Sequence, residues 1–150
     1  MNNIRPAETG DISRLSEIEV FNYRLNFYPI FQNDDFYFRE YTTDALSKMY
    51  RENPRMLKDT YVYFDGCVKG FIRTENREIK KLFVEPVLQN KGIGARLLTF
   101  AVEEKNAHFL WALEKNTRAI EFYLRHGFKK TGEKKPEDDT DEFLICLERR

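Results

Sequence analysis

The stretch Glu78-Ile79-Lys80-Lys81-Leu82-Phe83-Val84-Glu85-Pro86-Val87-Leu88-Gln89-Asn90-Lys91-Gly92-Ile93-Gly94-Ala95 decides how this chain folds. Residues 78–84 read as a strand that stops at Pro86, and Ile93 opens a helical apolar stripe continued by Leu97 and Ala101, with Leu98 and Val102 beside it. Between them lie a short loop and two glycines. A strand, a loop and a glycine-opened helix leave several backbone N–H groups free at the positive end of the helix, which is a seat for a phosphate or pyrophosphate. A side chain at Gly92 or Gly94 would hold such an anion away from the backbone.

Upstream, Ile4 to Ala7 reads as a short strand, and Thr9 or Asp11 caps a helix whose apolar face is Ile12, Leu15, Ile18 and Phe21. An aromatic stretch from Phe21 to Tyr41 follows, broken near Pro29 and Gln32-Asn33-Asp34-Asp35. A helix from about Thr43 to Arg51 ends near Asn53-Pro54. Thr60–Phe64 and Cys67–Arg73 form a hairpin across Asp65-Gly66, and a turn near Glu75-Asn76 leads into the strand at Glu78. Downstream come a short apolar strand, His108–Leu113, and a helix from Thr117 to His126 ended by Gly127. Phe128–Thr131 and Phe143–Leu147 are the last strands, separated by a charged loop from Glu133 to Asp141.

The crossover from Glu78 to Leu113 requires parallel pairing, right-handed by rule, while the hairpins on either side require antiparallel neighbours. The expected fold is therefore mixed α/β in a single domain, residues 1–150. It has a mostly antiparallel sheet of about six to seven strands with one parallel crossover, flanked by about four helices.

Composition narrows the function. The chain has 150 residues, 41% apolar and 33% charged, as expected of one soluble globular domain. Twenty-five basic residues balance 25 acidic ones, which argues against nucleic acid as a partner. No apolar run is long enough for a membrane span and no signal core follows the start, so a cytoplasmic location is expected. Cys67 and Cys146 each fall in an expected strand and read as buried free thiols. No His, Cys and carboxylate cluster has metal-ligand spacing. The glycine loop lacks both the Gly-Lys-Ser/Thr ending of a nucleotide-binding loop and the third glycine of a dinucleotide fold.

Two motifs in order, Gln89-Asn90-Lys91-Gly92-Ile93-Gly94 and Asn116-Thr117-Arg118-Ala119-Ile120-Glu121-Phe122-Tyr123-Leu124-Arg125-His126-Gly127-Phe128, resemble the signature of the GNAT superfamily of N-acetyltransferases. The close likeness covers Glu78 to Phe128. It implies a GNAT fold and transfer of an acetyl group from acetyl-coenzyme A to a primary amine. It also implies donor contacts from Leu82, Phe83 and Val84, from Gln89, Asn90, Lys91, Gly92, Ile93, Gly94 and Ala95, and from Asn116, Ala119, Phe122 and Tyr123. A non-catalytic acyl-coenzyme A sensor is the alternative.

The resemblance distributes the chemistry as well. A backbone N–H at Phe83 or Val84 polarises the carbonyl, and Tyr123 protonates the departing thiolate. An unperturbed phenol pKa of about 10 lies close to that of a thiol, so such a transfer is not steeply uphill. Glu78, sharing a strand face with Lys80, Leu82 and Val84, is the candidate general base acting through water. Asn116 can cap its helix and still contact the donor. Arg96, Lys115 and Arg118 are candidates for an outer phosphate. The aromatic stretch falls where the family builds its acceptor pocket. Phe31 is the candidate wall, Asp34 and Asp35 are candidates to attract a cationic amine, and a dimer contact is the other use for such a surface. The acceptor implied is a small-molecule or peptide amine.

Overall fold

The computed structural model describes residues 2–149. A seven-stranded sheet runs in the order β1-β2-β3-β4-β5-β7-β6. Its strands are β1 (Ile4–Pro6), β2 (Thr60–Phe64), β3 (Val68–Glu75), β4 (Glu78–Val84), β5 (Phe109–Leu113), β6 (Phe128–Pro136) and β7 (Phe143–Arg149). All neighbours are antiparallel except β4 and β5. The helices are α1 (Ile12–Asn26), α2 (Tyr28–Phe31), α3 (Thr43–Glu52), α4 (Pro54–Lys58), α5 (Ile93–Lys105) and α6 (Thr117–Arg125). The mixed sheet and its single parallel crossover are as expected, with six helices in place of about four.

The two faces of the sheet carry separate cores. Ile72, Ile79, Leu97, Leu98, Leu110, Phe128 and Leu147 belong to the side of α5 and α6, and Ile12, Leu15, Ile18, Leu46, Tyr50 and Phe71 to the side of α1 and α3. Leu97 is wholly buried, which contributes about 1.5–3 kcal/mol. Gly70 allows α5 to lie this close: a Cβ there would meet Phe83 O at 3.0 Å and Leu97 Cδ1 at 3.2 Å.

Several expectations change. On α1 the buried stripe passes through Asn22 instead of Phe21, which is exposed. Pro54 ends one helix and begins another, because proline suits a first helical turn. The charged segment after Thr131 continues as strand to Pro136, paired with β7 at the sheet edge, where both faces of a strand can be polar. Cys146 is buried, but Cys67 is exposed in the turn before β3. Among the described residues no helix is long and apolar enough to cross a membrane.

The change with most bearing on function is a bulge in β4. Arg73 pairs with Lys81 and Thr74 with Ile79, which leaves Lys80 as the extra residue. Beyond the bulge the alternation inverts. Ile79 joins Leu82 and Val84 on the α5 side, so Glu78 falls on the opposite face from Leu82 and Val84.

Candidate active site

The parallel pair β4 and β5 touches at one position, Glu78 opposite Phe109. Past it the strands part, and a cavity of about 570 Å³ lies between Ile79–Phe83 and Leu110–Leu113. A second cavity of about 350 Å³ lies between the β4 end, the glycine loop and α6. The two share Leu82, Phe83, Asn116, Ala119 and Tyr123 in their walls, so they meet between β4 and α6.

The smaller cavity gathers the glycine-loop motif and the α6 motif. Leu82, Phe83, Val84, Gln89, Asn90, Gly92, Ile93, Gly94, Ala95, Asn116, Ala119, Phe122 and Tyr123 all line it, and Lys91 does not. Gly92 is the N-cap residue of α5 at φ +87°, a left-handed conformation that glycine adopts at little cost. A Cβ there would meet nothing within 4 Å, so the loop borders open space. No side chain caps α5, and the first N–H groups of the helix are left for a ligand. Gln89 turns inward instead of toward that space. Its Nε2 donates to Asn22 Oδ1 at 3.0 Å and to Val84 O at 3.1 Å. Asn22 in turn donates to Val84 O at 2.9 Å, which ties α1 to the end of β4. Arg118 and Arg125 add cationic side chains to the wall; Arg96 is bonded to Tyr63 and Lys115 to Glu142.

Backbone direction separates the two N–H groups of Phe83 and Val84. Glu85 N donates to Lys69 O, so in the β3–β4 ladder Phe83 also turns its N–H toward β3. Val84 and Leu82 turn theirs the other way, toward the opening. Of the two donors considered from sequence, Val84 is therefore the one aimed into the cleft.

Tyr123 lies where the cavities meet, 7% exposed, its ring packed edge-on to Phe122 and Phe128. Burial alone raises its phenol pKa, with no charged or hydrogen-bonding neighbour contributing. The hydroxyl therefore keeps its proton through the neutral range. Asn116 Oδ1 accepts from Ala119 N at 3.4 Å, so it caps α6 as expected while lining both cavities. His126 Nδ1 sits 2.7 Å from Phe122 O at the end of α6.

The larger cavity joins rings of the expected acceptor stretch to two residues the sequence did not single out, Lys81 and Trp111. Aromatic side chains of Tyr23, Phe27, Phe31, Phe36, Tyr37 and Trp111 form much of its wall. Phe36 begins a π-helical turn, Phe36–Glu40, a distortion that often accompanies function. Lys81 Nζ donates to Tyr23 Oη and lies 4.9 Å from that ring's centroid. Behind them is a buried polar cluster. Tyr41 Oη donates to Glu19 Oε2, Arg73 Nη2 lies 3.5 Å from Glu19 Oε1, and Arg73 Nη1 donates to Tyr50 Oη at 2.9 Å. Burial works against the charged form of Lys81, but Tyr23 and Glu19 outweigh it and hold the ammonium above its usual range. Burial pushes Tyr37 up to about 12, with help from Tyr23 and Glu137.

Three expected residues stand elsewhere. Glu78 lines neither cavity; it is six residues from Val84, about 20 Å along a strand, and pairs with Lys80 at 3.3 Å. Asp34 accepts from Tyr28 Oη at 2.5 Å and Asp35 lies 3.5 Å from Arg39, both on the outside of the aromatic stretch. Phe31 does line the larger cavity, together with Asn33.

Comparison with known proteins accords with this geometry. The family described as "Acetyltransferase (GNAT) domain" matches residues 57–130, which include β4, the glycine loop and α6 but not the aromatic stretch or the acidic lip of the larger cavity. The chain has a GNAT acetyltransferase domain. The chain is 32% identical over 69 residues to a peptidyl-lysine N-acetyltransferase, YjaB, of Salmonella typhimurium; this is 46% of the chain, and it spans about half (48%) of that relative. The fold of the whole chain is similar to apo YjaB from Escherichia coli, with TM-score 0.71, 23% identity, and 97% and 95% of the two chains covered. It is similar also to a PaiA N-acetyltransferase from Thermoplasma acidophilum in complex with coenzyme A, with TM-score 0.66, 20% identity, and 95% and 96% covered. Around the GNAT domain's cleft, no group of three or more metal-binding side chains occurs among the described residues.

Proposed function

We propose that this protein transfers an acetyl group from acetyl-coenzyme A to a primary amine by direct attack, both substrates bound at once. The observation that carries this is the meeting of two cavities at Tyr123, Asn116 and Leu82–Phe83, one walled by the glycine loop and the other by aromatic side chains. The donor supplies an activated thioester, whose C–S bond is exchanged for an amide C–N bond. The N–H groups of Ile93, Gly94 and Ala95 and the positive end of α5 hold its pyrophosphate, with Arg118 beside them. Asn116 uses its free amide group on the pantetheine arm while its oxygen caps α6. Val84 N–H takes the oxyanion, and Tyr123 gives its proton to the sulfur, recovering one through water from the amine.

Two experiments test this. Titration of the folded protein with coenzyme A should give saturable heat, and Gly92→Val should weaken it about tenfold or more, because a β-branched residue at φ +87° is strained and intrudes on the seat. Absence of binding to the unaltered protein would sink the proposal. In a thiol-release assay over a panel of amines, binding without release under every acceptor would identify a non-catalytic sensor. Glu78 has no part in this scheme, so Glu78→Gln should retain kcat within about twofold, whereas a general base contributes about a hundredfold or more.

A further inference from the structure

The cluster behind the larger cavity is out of charge balance. Arg73 and Lys81 are two cations, and Glu19 is the one carboxylate set against them. Glu19 is occupied on both oxygens, by Tyr41 and Arg73. Lys81 reaches no carboxylate within ion-pair distance among the described residues. Its one hydrogen-bond partner is Tyr23, which leaves two of its three N–H groups unused where it borders the cavity. A buried charge is costly unless paired and hydrogen-bonded. The opposite lip of the same cavity, in the loop between β6 and β7, is acidic: Glu137, Asp138 and Asp139. One chamber thus offers an anion site on its β4 wall, negative charge at its lip and aromatic surface between.

Resting on the acetyl-transfer reading above, we infer that the acceptor is an amine that also carries a carboxylate, a free amino acid with an apolar or aromatic side chain. Its carboxylate takes the unused N–H groups of Lys81. Its ammonium is drawn in past the acidic lip and loses a proton to water before attack. Its side chain lies against Phe27, Phe31 and Trp111. The balance is simple: the amine nitrogen gains the acetyl carbon and loses a proton, the C–S bond breaks, the sulfur takes the Tyr123 proton, Tyr123 regains the amine's proton through water, and the products are an N-acetyl amino acid and coenzyme A. A lysine side chain inside a peptide has no carboxylate at the corresponding place and leaves Lys81 unmatched.

The test uses matched pairs on the unaltered protein: L-phenylalanine against L-phenylalaninamide and phenethylamine, and L-leucine against L-leucinamide, followed by thiol release. The free acid should exceed its carboxylate-free partners in kcat/KM by about 10- to 100-fold, the range of one charge-assisted hydrogen bond. Calorimetry with N-acetyl-L-phenylalanine and its amide should give the same order, a readout independent of turnover. Lys81→Met should bring each ratio close to one while coenzyme A binding is unchanged. Equal use of acid and amide, or turnover of a lysine-containing peptide but of no free amino acid, overturns the inference and leaves acetyl transfer standing. Coenzyme A binding with no turnover of any amine overturns both. If Lys81→Met does not fold, the matched pairs and the product calorimetry still decide.

Discussion

Tyr123→Phe is expected to lower kcat for acetyl transfer by about a hundredfold or more, while the affinity for coenzyme A and the melting temperature stay nearly unchanged. The separation of these effects follows from how the side chain sits. Its ring packs against Phe122 and Phe128, with centroids 5.2 and 5.5 Å away, and phenylalanine keeps both contacts. The hydroxyl has no protein partner among the described residues, so removing it leaves no buried donor or acceptor unsatisfied. What is lost is the proton at the junction of the two cavities. Steady-state kinetics with the best amine of the panel, a coenzyme A titration and a thermal melt measure the three quantities. A Phe variant with normal kcat would show that the thiolate departs unaided.

Glu19→Gln is expected to cost about 3–5 kcal/mol of folding stability, read as a shift of the urea midpoint without a change in slope. Glu19 is 1% exposed and is the counter-charge for Arg73 and, at longer range, for Lys81. Its amide leaves two enclosed cations without a carboxylate. Arg73→Met should cost less, because Lys81 then remains to balance Glu19. Equal losses would mean that the Arg73–Tyr50 bond, and not the charge, holds the cluster together. Added L-phenylalanine should raise the urea midpoint of the unaltered protein but not that of the Lys81→Met variant, since a ligand that binds only the folded state stabilises it.

Local signals in the sequence carried much of this. The glycine loop, the helix it opens and the Asn116–Tyr123 helix are contiguous patterns with a direct physical meaning, and the structure brings them together around one cavity. Relations between distant residues were not legible. Glu19 and Arg73 are 54 positions apart, and neither an acidic residue in an amphipathic helix nor an arginine in a strand announces that it is buried. The bulge at Lys80 inverted the face assigned to Glu78, since an extra residue in a strand leaves no mark on composition. Gln89 was read as a ligand contact because it sits in the loop, yet its amide is used to fasten Asn22 and the end of β4. Asp34 and Asp35 were placed beside aromatic neighbours in sequence, but the helical turns around them point the rings inward and the carboxylates outward.

Because β4 and β5 share a single rung, the hydrogen-bond ladder of the sheet falls into two panels, β1 to β4 and β5 with β7 and β6, held together by the core beneath α5 and α6. The strand edges that face each other across the slot still have backbone groups to satisfy, and an elongated ligand bearing its own amides can do so from both sides at once. Seating the donor would then also weld the panels into one continuous surface. On the acetyl-transfer reading, binding of the donor and stiffening of the scaffold would be the same event.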